Sequence, residues 1–421
     1  MSGRVVVTGT GAITSLGNDA GTLVERWIAG ESGIEDGCSQ CHDFDPTSVL
    51  GRKGVRRADR FTHLAIGAAD EALAEAGWQK DDIPYEAERV ACIVGTGVGG
   101  MSTLEGQVAN VAASPRGYAA LSPMTVPMMM SNSAAGYLTL RYGLRGPSFS
   151  VGSACATGGH TIGTAVRMIQ SGEADAVLAG ASEAAVTPLG LGCFRAMEAL
   201  SPSGRSLPFD ARRDGFVMGE GAGALVLEAA SHAEARGADP IAEILGYGTT
   251  TDAYHMTAPD PDASGAVRAI ELALAGAGVK PEQVDYVNAH GTATELNDRS
   301  ETIAIKRVFG EHAAKLPVSS TKSVIGHLLG ASGLVEAVAA VGALRRDVVP
   351  PTVGYEEQEE GMDLDYVPRS RPLTRNGGPA IALSNAFGFG GHNVVVCLAV
   401  PAAENAAGAT GAASTAAGIA A

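Results

Sequence analysis

The sequence predicts an α/β protein with largely parallel sheets, built from two related halves. Short apolar runs typical of strands alternate with segments of helical periodicity, beginning with a strand at 5–7 and a helix near 20–29. The second half repeats this rhythm, with a strand at 241–246 and a helix over 265–275. Such alternation favours strands that are connected through helices, and therefore parallel pairing.

Each half also contains a strand, a turn with reactive side chains and an apolar helix. A strand at 148–152 leads into Ser153-Ala-Cys155 and a helix that ends near 171, and a strand at 316–319 leads into a turn that ends at His327. We interpret this echo as an internal duplication, with an N-terminal half over 1–240 and a C-terminal half over 241–400. The further elements predicted are strands at 90–94 and 284–288 and helices at 62–76, 300–309 and up to 344.

The last segment, 401–421, differs in kind from both halves. It consists almost entirely of Ala, Gly, Ser and Thr. Such a composition buries too little apolar surface to offset the entropy lost on ordering, so we expect a disordered tail.

The bulk composition excludes several classes of function. The formal net charge of -16 repels nucleic acid and anionic membranes. No leader-like segment precedes the first strand, and no apolar run reaches the roughly 18 residues of a membrane span. Six scattered cysteines favour reduced thiols in the cytoplasm. Cys38 and Cys41 form a lone CxxC without a second ligand pair, so we expect no metal site.

Cys155 is the strongest candidate nucleophile in the sequence. It follows a strand-like run and precedes residues with helical spacing, which places it at a helix N-terminus. That position favours the thiolate, and its backbone N–H groups can face a developing oxyanion. The alternative is a buried structural cysteine, the role predicted for Cys92, Cys193 and Cys397.

Two histidines are candidates for catalysis in the C-terminal half. His290 ends a strand-like run, so it should stand at the carboxyl edge of a sheet, where ligands collect in open α/β folds. A hydrogen-bonded structural histidine is the alternative there. His327 ends a turn that begins with Lys322. Glu336 interrupts the apolar helix that follows and should be paired, for example with Lys322, because buried carboxylates are rarely unpaired.

A glycine-rich segment, 383–393, completes the set. Its glycine density allows unusual backbone angles and a close approach to a ligand. No P-loop lysine follows, and Gly9-Thr-Gly11 near the start lacks the full dinucleotide pattern. Phe387 and Phe389 beside these glycines indicate an apolar gate.

Taken in order, these motifs resemble those of the condensing enzymes with the thiolase-like fold, over residues 1 to about 400. The resemblance is closest to the elongating, long-chain β-ketoacyl-[acyl-carrier-protein] synthases. The motifs are VVVTGTGAITSLG, YGLRGPSFSVGSACATG, TPLGLG, PFDARRDGFVMGEGAGALVLE, DAYHMTAP, VNAHGTATELND, VSSTKSVIGHLLGASG, DLDYVP and SNAFGFGGHN. The resemblance implies a layered α/β/α/β/α arrangement of the two halves.

The resemblance implies a decarboxylative Claisen condensation in fatty acid biosynthesis. An acyl group passes from the phosphopantetheine of an acyl carrier protein to Cys155. His290 and His327 then donate hydrogen bonds to the thioester carbonyl of malonyl carrier protein as carbon dioxide leaves. The resulting carbanion attacks the acyl-Cys155 thioester. Because phosphopantetheine arrives on the substrate, no metal or organic cofactor is expected.

The resemblance also implies supporting roles around these three residues. The backbone N–H groups of Cys155 and Phe387 would form the oxyanion hole, and the Phe387 ring would close over Cys155 until an acyl chain fills a pocket beside Val98. Lys322 would tune the charge of the site, with Glu336 as its buried partner. The other substrate-binding side chains implied are Thr257, Thr292, Thr294 and Phe389.

Two other functions remain open on the sequence. One is a ketosynthase subunit of a type II polyketide or polyene pathway, which would act with a nucleophile-less chain-length factor. The other is a non-catalytic chain-length or scaffold subunit, which the intact Cys155, His290 and His327 disfavour. His392, where many members carry Thr, and the Met-rich stretch 123–132 leave the acyl-chain preference open.

The expected partner is an acidic acyl carrier protein, which requires a positive patch on this acidic chain. Two arginine-rich clusters are candidates, one at 52–60 and one at 205–213. Internal ion pairs or a solvated face are the alternative for both. The resemblance also implies a homodimer with 128–138 near its interface, or a heterodimer with a chain-length factor.

Overall fold

The computed structural model of the protein describes residues 3–80, 82–375 and 378–402. Its strands are β1 Val5–Ile13, β2 Cys38–Ser39, β3 Val90–Gly95, β4 Ser148–Phe149, β5 Ala176–Glu183, β6 Met218–Gly219, β7 Gly221–Ala229, β8 Ala242–Thr251, β9 Tyr286–Asn288, β10 Val318–Ser319, β11 Val348–Val349, β12 Arg371–Pro372, β13 Ala380–Gly388 and β14 His392–Val400. Its helices are α1 Ala20–Ile28, α2 Thr47–Val55, α3 Arg60–Glu75, α4 Met101–Ala113, α5 Thr125–Met129, α6 Ser133–Tyr142, α7 Thr157–Gln170, α8 Pro188–Ala196, α9 Ala230–Ala235, α10 Ser264–Ala277, α11 Glu295–Phe309, α12 Lys322–Ile325 and α13 Ser332–Arg345. Most of the tail predicted to be disordered, 403–421, lies outside the described residues.

A 10-stranded sheet runs through both halves in the order β10-β9-β13-β14-β8-β1-β7-β5-β3-β4. Each half contributes five strands to this sheet. Counted from the centre of the sheet outward, the five strands of each half follow in the order first, fifth, fourth, second and third along the chain. The two first strands, β1 and β8, are antiparallel neighbours, with Val5 opposite Ile244. The same strand order therefore occurs twice, once on each side of the β1–β8 pair.

The prediction of largely parallel sheets is wrong in part. Within the 10-stranded sheet, parallel pairing is confined to the outer strands of each half, β5-β3-β4 and β13-β9-β10. The fifth strand of each half, β7 or β14, is antiparallel to both of its neighbours. In the C-terminal half the reason is local, because only 389–391 separate β13 from β14 and such a short turn produces a hairpin.

The helices form three layers around the two halves of this sheet. The central layer is the pair α7 and α13, which pack on each other and on strands from both halves. α13 is apolar on nearly every side and buried along most of its length, as expected of a helix between two sheets. Helices α3 and α6 cover the outer face of the first half, and α10 and α11 cover that of the second. This arrangement confirms the predicted α/β/α/β/α architecture.

Glycine pairs bring the covering helix of each half into direct contact with its first strand. A Cβ on Gly9 or Gly11 of β1 would lie 2.0 or 1.9 Å from the carbonyl oxygens of Ala72 and Ala68 in α3. The glycines of Gly9-Thr-Gly11 thus serve helix packing, which explains why they do not continue into a dinucleotide-binding pattern.

Among the described residues, no helix is both long and apolar enough to cross a membrane. Within the same ranges, no group of three His, Cys, Asp or Glu side chains is placed so that it could hold a metal ion.

Candidate active site

Four of the segments that line a cavity of about 430 Å³ at the ends of the strands contain predicted catalytic residues. They are the turn after β4, the turn after β9, the segment after β10 and the end of β13 with the loop that follows it. Cys155, His290, His327 and Phe387 all line the cavity. Residues from both halves of the chain therefore meet at one site, as ligand sites in α/β folds generally do.

Cys155 lies on a tight turn directly before α7. The preceding residue, Ala154, has a φ of 50°, which is rare for a residue with a Cβ. Thr157 closes the turn because its hydroxyl accepts from the Ser153 backbone N–H at 2.8 Å and donates to the Ala154 carbonyl at 2.7 Å. A Cβ on Gly388 would lie 3.1 Å from the backbone nitrogen of Cys155, so a glycine lets the opposite loop approach the nucleophile.

The thiol of Cys155 faces His327. Its Sγ lies 3.1 Å from His327 Nε2. Burial raises the pKa of Cys155 to about 12, while the charge of Lys322 and the backbone N–H of Phe389 lower it in part. The sequence predicted a thiolate-prone cysteine from its position at a helix N-terminus. In the structure the loss of solvent acts in the opposite direction and favours a neutral thiol beside a base.

The two histidines are buried and adjacent. Their ring centroids are 5.4 Å apart, with the rings almost perpendicular. Burial lowers the pKa of each imidazole well below its usual value, and the charge of Lys322 lowers it further. His327 Nδ1 lies 2.9 Å from the hydroxyl of Ser332. Both rings are therefore neutral near pH 7, and each neutral ring carries one N–H that it can donate.

Lys322 and Glu336 form an ion pair beneath the histidines, as the sequence predicted. Both side chains are only 1% exposed, and Lys322 Nζ also donates to the backbone carbonyl of His290 at 2.6 Å. Burial raises the pKa of the Glu336 carboxyl, while Lys322 opposes that rise. The pair thus supports the His290 turn and supplies a positive charge to the site from below.

Three buried carboxylates that the sequence reasoning missed hold the surrounding backbone. Glu301 accepts from the backbone N–H groups of His290 and Gly291, each at 2.8 Å. Asp298 accepts from the backbone N–H of Thr292 at 3.0 Å. Glu183 accepts from backbone N–H groups on two separate turns, at Gly97 and Gly330. The spacing of Asp298 and Glu301 could have indicated these two residues from the sequence, because it places two acids on one face of a predicted helix.

The two phenylalanines of the glycine-rich segment are placed differently from the sequence prediction. Phe387 lies within β13, packs against the core and places its ring 5.8 Å from that of His290. Phe389 follows the end of that strand, and its backbone N–H reaches Cys155 Sγ. The backbone N–H that faces Cys155 is therefore that of Phe389 and not that of Phe387, to which the sequence analysis assigned the oxyanion hole.

The substrate-binding residues predicted from the sequence are only partly brought together. Thr257, Thr292, Thr294 and Phe389 line the cavity, and the hydroxyls of Thr292 and Thr294 are 2.9 Å apart. Val98 does not line it and is 46% exposed. Its turn is held by Glu183, which accepts from the Val98 backbone N–H at 3.2 Å.

His160, which the sequence analysis did not assign, connects the nucleophile turn to the second half of the chain. Its ring nitrogens lie 2.7 Å from the Ser153 hydroxyl and 2.9 Å from the Thr249 hydroxyl. Burial lowers the pKa of His160 to about 4, and nearby His392 lowers it further. The ring of His392, the residue noted as unusual, lies 6.3 Å from that of His160. This neutral bridge supports the turn that carries Cys155.

The remaining cysteines are placed as expected with one exception. Cys92 and Cys397 are fully buried, whereas Cys193 is exposed on α8 and is not the buried residue that was predicted. The apolar residues around Cys193 suggested burial. However, α8 lies beside the cavity, and part of its surface is exposed to solvent.

The two arginine-rich clusters differ in their environment. Arg60, Arg212 and Arg213 form ion pairs with Glu220, Asp210 and Glu359 respectively, which makes them structural. The basic residues around the end of α2 are exposed, and within the described ranges no ion pair involves them. We call them the α2 basic patch: Arg52, Lys53, Arg56 and Arg57.

Known proteins resemble this chain over most of its length. Residues 2–233 match the family model of the β-ketoacyl synthase N-terminal domain, and 241–356 match that of the β-ketoacyl synthase C-terminal domain. The chain is 46% identical over 416 residues to the 3-oxoacyl-[acyl-carrier-protein] synthase 2 of Synechocystis sp., covering 94% of this chain and 97% of the relative. It is 43% identical over 413 residues to the Coxiella burnetii protein of that name, covering 94% and 98%.

Solved structures with a similar fold include two ketosynthase assemblies. One is a type II polyketide acyl carrier protein in complex with its ketosynthase, with a TM-score of 0.86 at 30% identity, covering 95% of this chain and 100% of that chain. The other is the ishigamide ketosynthase/chain length factor, with a TM-score of 0.88 at 31% identity, covering 96% and 100%.

Proposed function

The chain belongs to the β-ketoacyl synthase family, and on that premise we propose that it elongates a Cys155-bound acyl chain with malonyl carrier protein. The observation that carries the proposal is the placement of Cys155 Sγ 3.1 Å from His327 Nε2, with His290 beside them in one cavity. A thiol, a neutral base and a second neutral donor are what decarboxylative condensation requires.

Acyl transfer uses His327 as a base. Its Nε2 accepts the Cys155 proton while the sulfur attacks the thioester of an acyl carrier protein. The oxyanion faces the backbone N–H groups of Cys155 and Phe389, as donors placed in advance of the reaction. When the tetrahedral intermediate collapses, the carbon–sulfur bond to pantetheine breaks, and His327 returns the proton to the pantetheine sulfur.

Decarboxylation uses both histidines as donors. Malonyl carrier protein enters with its thioester carbonyl directed at the Nε2 atoms of His290 and His327. The bond to the carboxylate breaks, carbon dioxide leaves, and the enolate oxygen is held by two N–H groups. Because that charge develops only in the transition state, the donors favour it over the ground state. The new carbanion attacks the carbonyl carbon of the acyl-Cys155 thioester, the carbon–sulfur bond to Cys155 breaks, and β-ketoacyl carrier protein leaves. The Cys155 thiolate then takes the Nε2 proton of His327, and water returns one proton to the ring. No metal or organic cofactor takes part in this scheme.

We place the reaction in fatty acid biosynthesis rather than in a polyketide pathway. The support is the higher identity to the two synthase 2 relatives, 46% and 43%, than to the two ketosynthase assemblies, 30% and 31%. A panel of carrier proteins that carry saturated chains of graded length tests this choice. We expect turnover with these chains by the isolated protein, and strict dependence on a second, nucleophile-less subunit would contradict it.

The catalytic assignment is tested by measuring the half-reactions separately. His290→Ala and His327→Ala should each lower malonyl decarboxylation by roughly 100-fold or more, because each removes an oxyanion donor. His290→Ala should still accept an acyl group on Cys155. His232→Ala serves as control, since His232 is solvent-exposed. Decarboxylation at the native rate in either variant would contradict the assignment.

We further propose that the carrier protein docks on the α2 basic patch. Packed elements join the patch to the cavity. Asp59 accepts from the backbone N–H of Thr103 in the first turn of α4, and Glu105 of α4 accepts from the backbone N–H of Leu189 in α8, the helix whose Phe194 lines the cavity. Arg56→Glu with Arg57→Glu should raise KM for the carrier protein at least tenfold and leave reaction with a free pantetheine thioester unchanged. Arg268→Glu, a reversal on α10, is the matched control. Equal KM values in both variants would exclude the patch.

The functional unit proposed is a homodimer. The end of the sheet at β4 is an edge, and the helices beside it expose an apolar surface that a second copy would cover through an isologous contact. A chain-length-factor-like subunit in place of the second copy is the competing outcome.

A further inference from the structure

The two catalytic histidines differ in what their Nδ1 atoms contact. Nδ1 of His327 lies 2.9 Å from the hydroxyl of Ser332. Nδ1 of His290 is equally buried and has no hydrogen-bond partner among the described residues. Ser332 is the first residue of α13 and is 1% exposed, so its hydroxyl is shielded from bulk solvent.

The two half-reactions demand opposite tautomers of His327. To accept the proton of Cys155, Nε2 must carry a lone pair, and the ring proton must then lie on Nδ1. To donate to the malonyl thioester, Nε2 must carry the proton, and Nδ1 must then carry the lone pair. In a buried site, either form is costly if its Nδ1 is left without a partner.

We propose that Ser332 is a positioning residue that stabilises both tautomers of His327, a role that rests on the proposed function. A serine hydroxyl rotates about its Cβ–Oγ bond and can either accept or donate. It accepts from Nδ1–H while His327 acts as the base for Cys155. It donates to the Nδ1 lone pair while His327 acts as a donor in decarboxylation. His290 lacks such a partner and serves as a donor only.

The proton transfers balance with water as the one further reactant. During acyl transfer, Nε2 takes one proton from Cys155 and returns it to the pantetheine sulfur, so the ring ends with its proton on Nδ1. The tautomer exchange then moves one proton from Nδ1 to Nε2 in net terms, and water that enters the cavity lined by His327 when pantetheine leaves accepts one proton and supplies one. Ser332 keeps its own proton throughout.

Ser332→Ala makes the inference testable, because it affects the two tautomers unequally. A buried N–H without a partner is rarer, and less tolerated, than an unpaired acceptor. The variant should therefore shift His327 towards the Nε2–H tautomer. Acyl transfer to Cys155, which needs the Nε2 lone pair, should fall about tenfold, the effect of one lost neutral hydrogen bond. Malonyl decarboxylation should change by less than about twofold.

Tautomer populations give a readout that a purely structural role would not move. In protein labelled with ¹⁵N-histidine, the two His327 nitrogen signals of the wild type should lie between the protonated and unprotonated values. Ser332→Ala should move them towards the Nε2–H form, and Ser332→Thr, which keeps the hydroxyl, should restore them. Ser182→Ala is the matched control, a buried serine whose hydroxyl bonds to the backbone carbonyl of Phe61.

Two results would overturn the inference. One is a wild-type spectrum with a single fixed tautomer, which can be read even if Ser332→Ala does not fold. The other is an equal loss in both half-reactions, or the same small effect as in Ser182→Ala. Failure of the proposed function is distinguishable, because it would appear as native decarboxylation in the His290→Ala and His327→Ala variants.

Discussion

Cys155, His290 and His327 face one another in a part of the protein from which solvent is almost excluded. Burial raises the pKa of the thiol and lowers those of both imidazoles, so each group is held in its neutral form. The charged groups nearest to them, Lys322 and Glu336, are paired with each other below the site. Charge is therefore created during the reaction, where the fixed N–H donors can stabilise it.

This neutral resting state predicts an unusual pH dependence of Cys155 alkylation. Because its pKa is raised to about 12, the labelling rate by an apolar epoxide should keep rising from pH 7 to pH 10. An ordinary cysteine reaches a plateau near its pKa of about 8.5. Peptide mapping by mass spectrometry measures the rate, with exposed Cys193 as an internal reference.

The same experiment tests the role of the base. His327→Ala should slow labelling of Cys155 relative to Cys193 at pH 7, because the proton acceptor at 3.1 Å is lost. A plateau near pH 8.5 in the native protein, or preferential labelling of Cys92, would contradict the assignment.

At the scale of elements, the site depends on where strands stop. β13 ends at Gly388, so Phe387 is held by the sheet while Phe389 belongs to the loop that follows. The next two residues, Gly390 and Gly391, have φ values of 89° and 72°, which glycine adopts without strain. The gate that the sequence assigned to Phe387 is therefore expected at Phe389.

A matched pair of substitutions distinguishes the two phenylalanines. Phe389→Ala should raise carbon dioxide release relative to β-ketoacyl product, because malonyl groups would reach the unacylated enzyme. Phe387→Ala should lower both rates together and destabilise the protein by about 3 kcal/mol, as loss of a core side chain does. Both products are measured on the same folded sample. An unchanged ratio in Phe389→Ala would exclude the gate.

The glycine pairs on β1 and β8 are a second consequence of close packing between elements. A Cβ on Gly248 of β8 would lie 1.9 Å from the carbonyl oxygen of Ala269 in α10, the same relation that Gly11 has to Ala68. The duplication therefore extends to how the first strand of each half receives its helix.

Gly248→Ala should consequently lower the free energy of unfolding by about 1–3 kcal/mol, because the strand and helix must separate. Gly276→Ala on α10 is the control, since its Cβ would find nothing closer than 3.8 Å. It should be neutral or stabilising by about 1 kcal/mol. Chemical denaturation of both variants measures the difference, and equal stabilities would contradict this explanation of the glycine pair.

At the scale of the whole molecule, one surface exposes more large apolar side chains than a solvent-facing surface usually does. Large side chains on α4, α5, α6 and the neighbouring segments are exposed, including Leu140 at 85% and Tyr118 at 82%. The range 128–138, expected near a dimer interface, lies within this α4–α6 face. Its other exposed apolar members are Leu104, Val108, Leu121, Val126, Met129, Met130 and Phe149. Such a patch is typical of a protein–protein interface.

Leu140→Asp should therefore convert the proposed homodimer into a monomer and lower its melting temperature. Analytical ultracentrifugation over a range of concentrations measures the state. Leu272→Asp is the control, because Leu272 is exposed on α10 in the other half. If the native protein is monomeric at micromolar concentration, or pairs only when a chain-length-factor-like subunit is supplied, the homodimer is excluded.

The sequence by itself determined the α/β class, the family and the residues with reactive side chains. Those features depend on local periodicity and on motifs, which are continuous in the chain. It also placed Lys322 and Glu336 together, because an acid in an apolar helix needs a partner.

Only the tertiary structure decided the properties that arise between distant segments. Burial by both halves made Cys155 a neutral thiol, although its local position at a helix N-terminus predicted a thiolate. Pairing with β14 determines where β13 ends, and the backbone N–H beside Cys155 is therefore that of Phe389 and not that of Phe387. The antiparallel fifth strands, the exposure of Cys193 and the contact of Ser332 with His327 likewise depend on packing. Desolvation and strand pairing are set by neighbours remote in the chain, so no local pattern reports them.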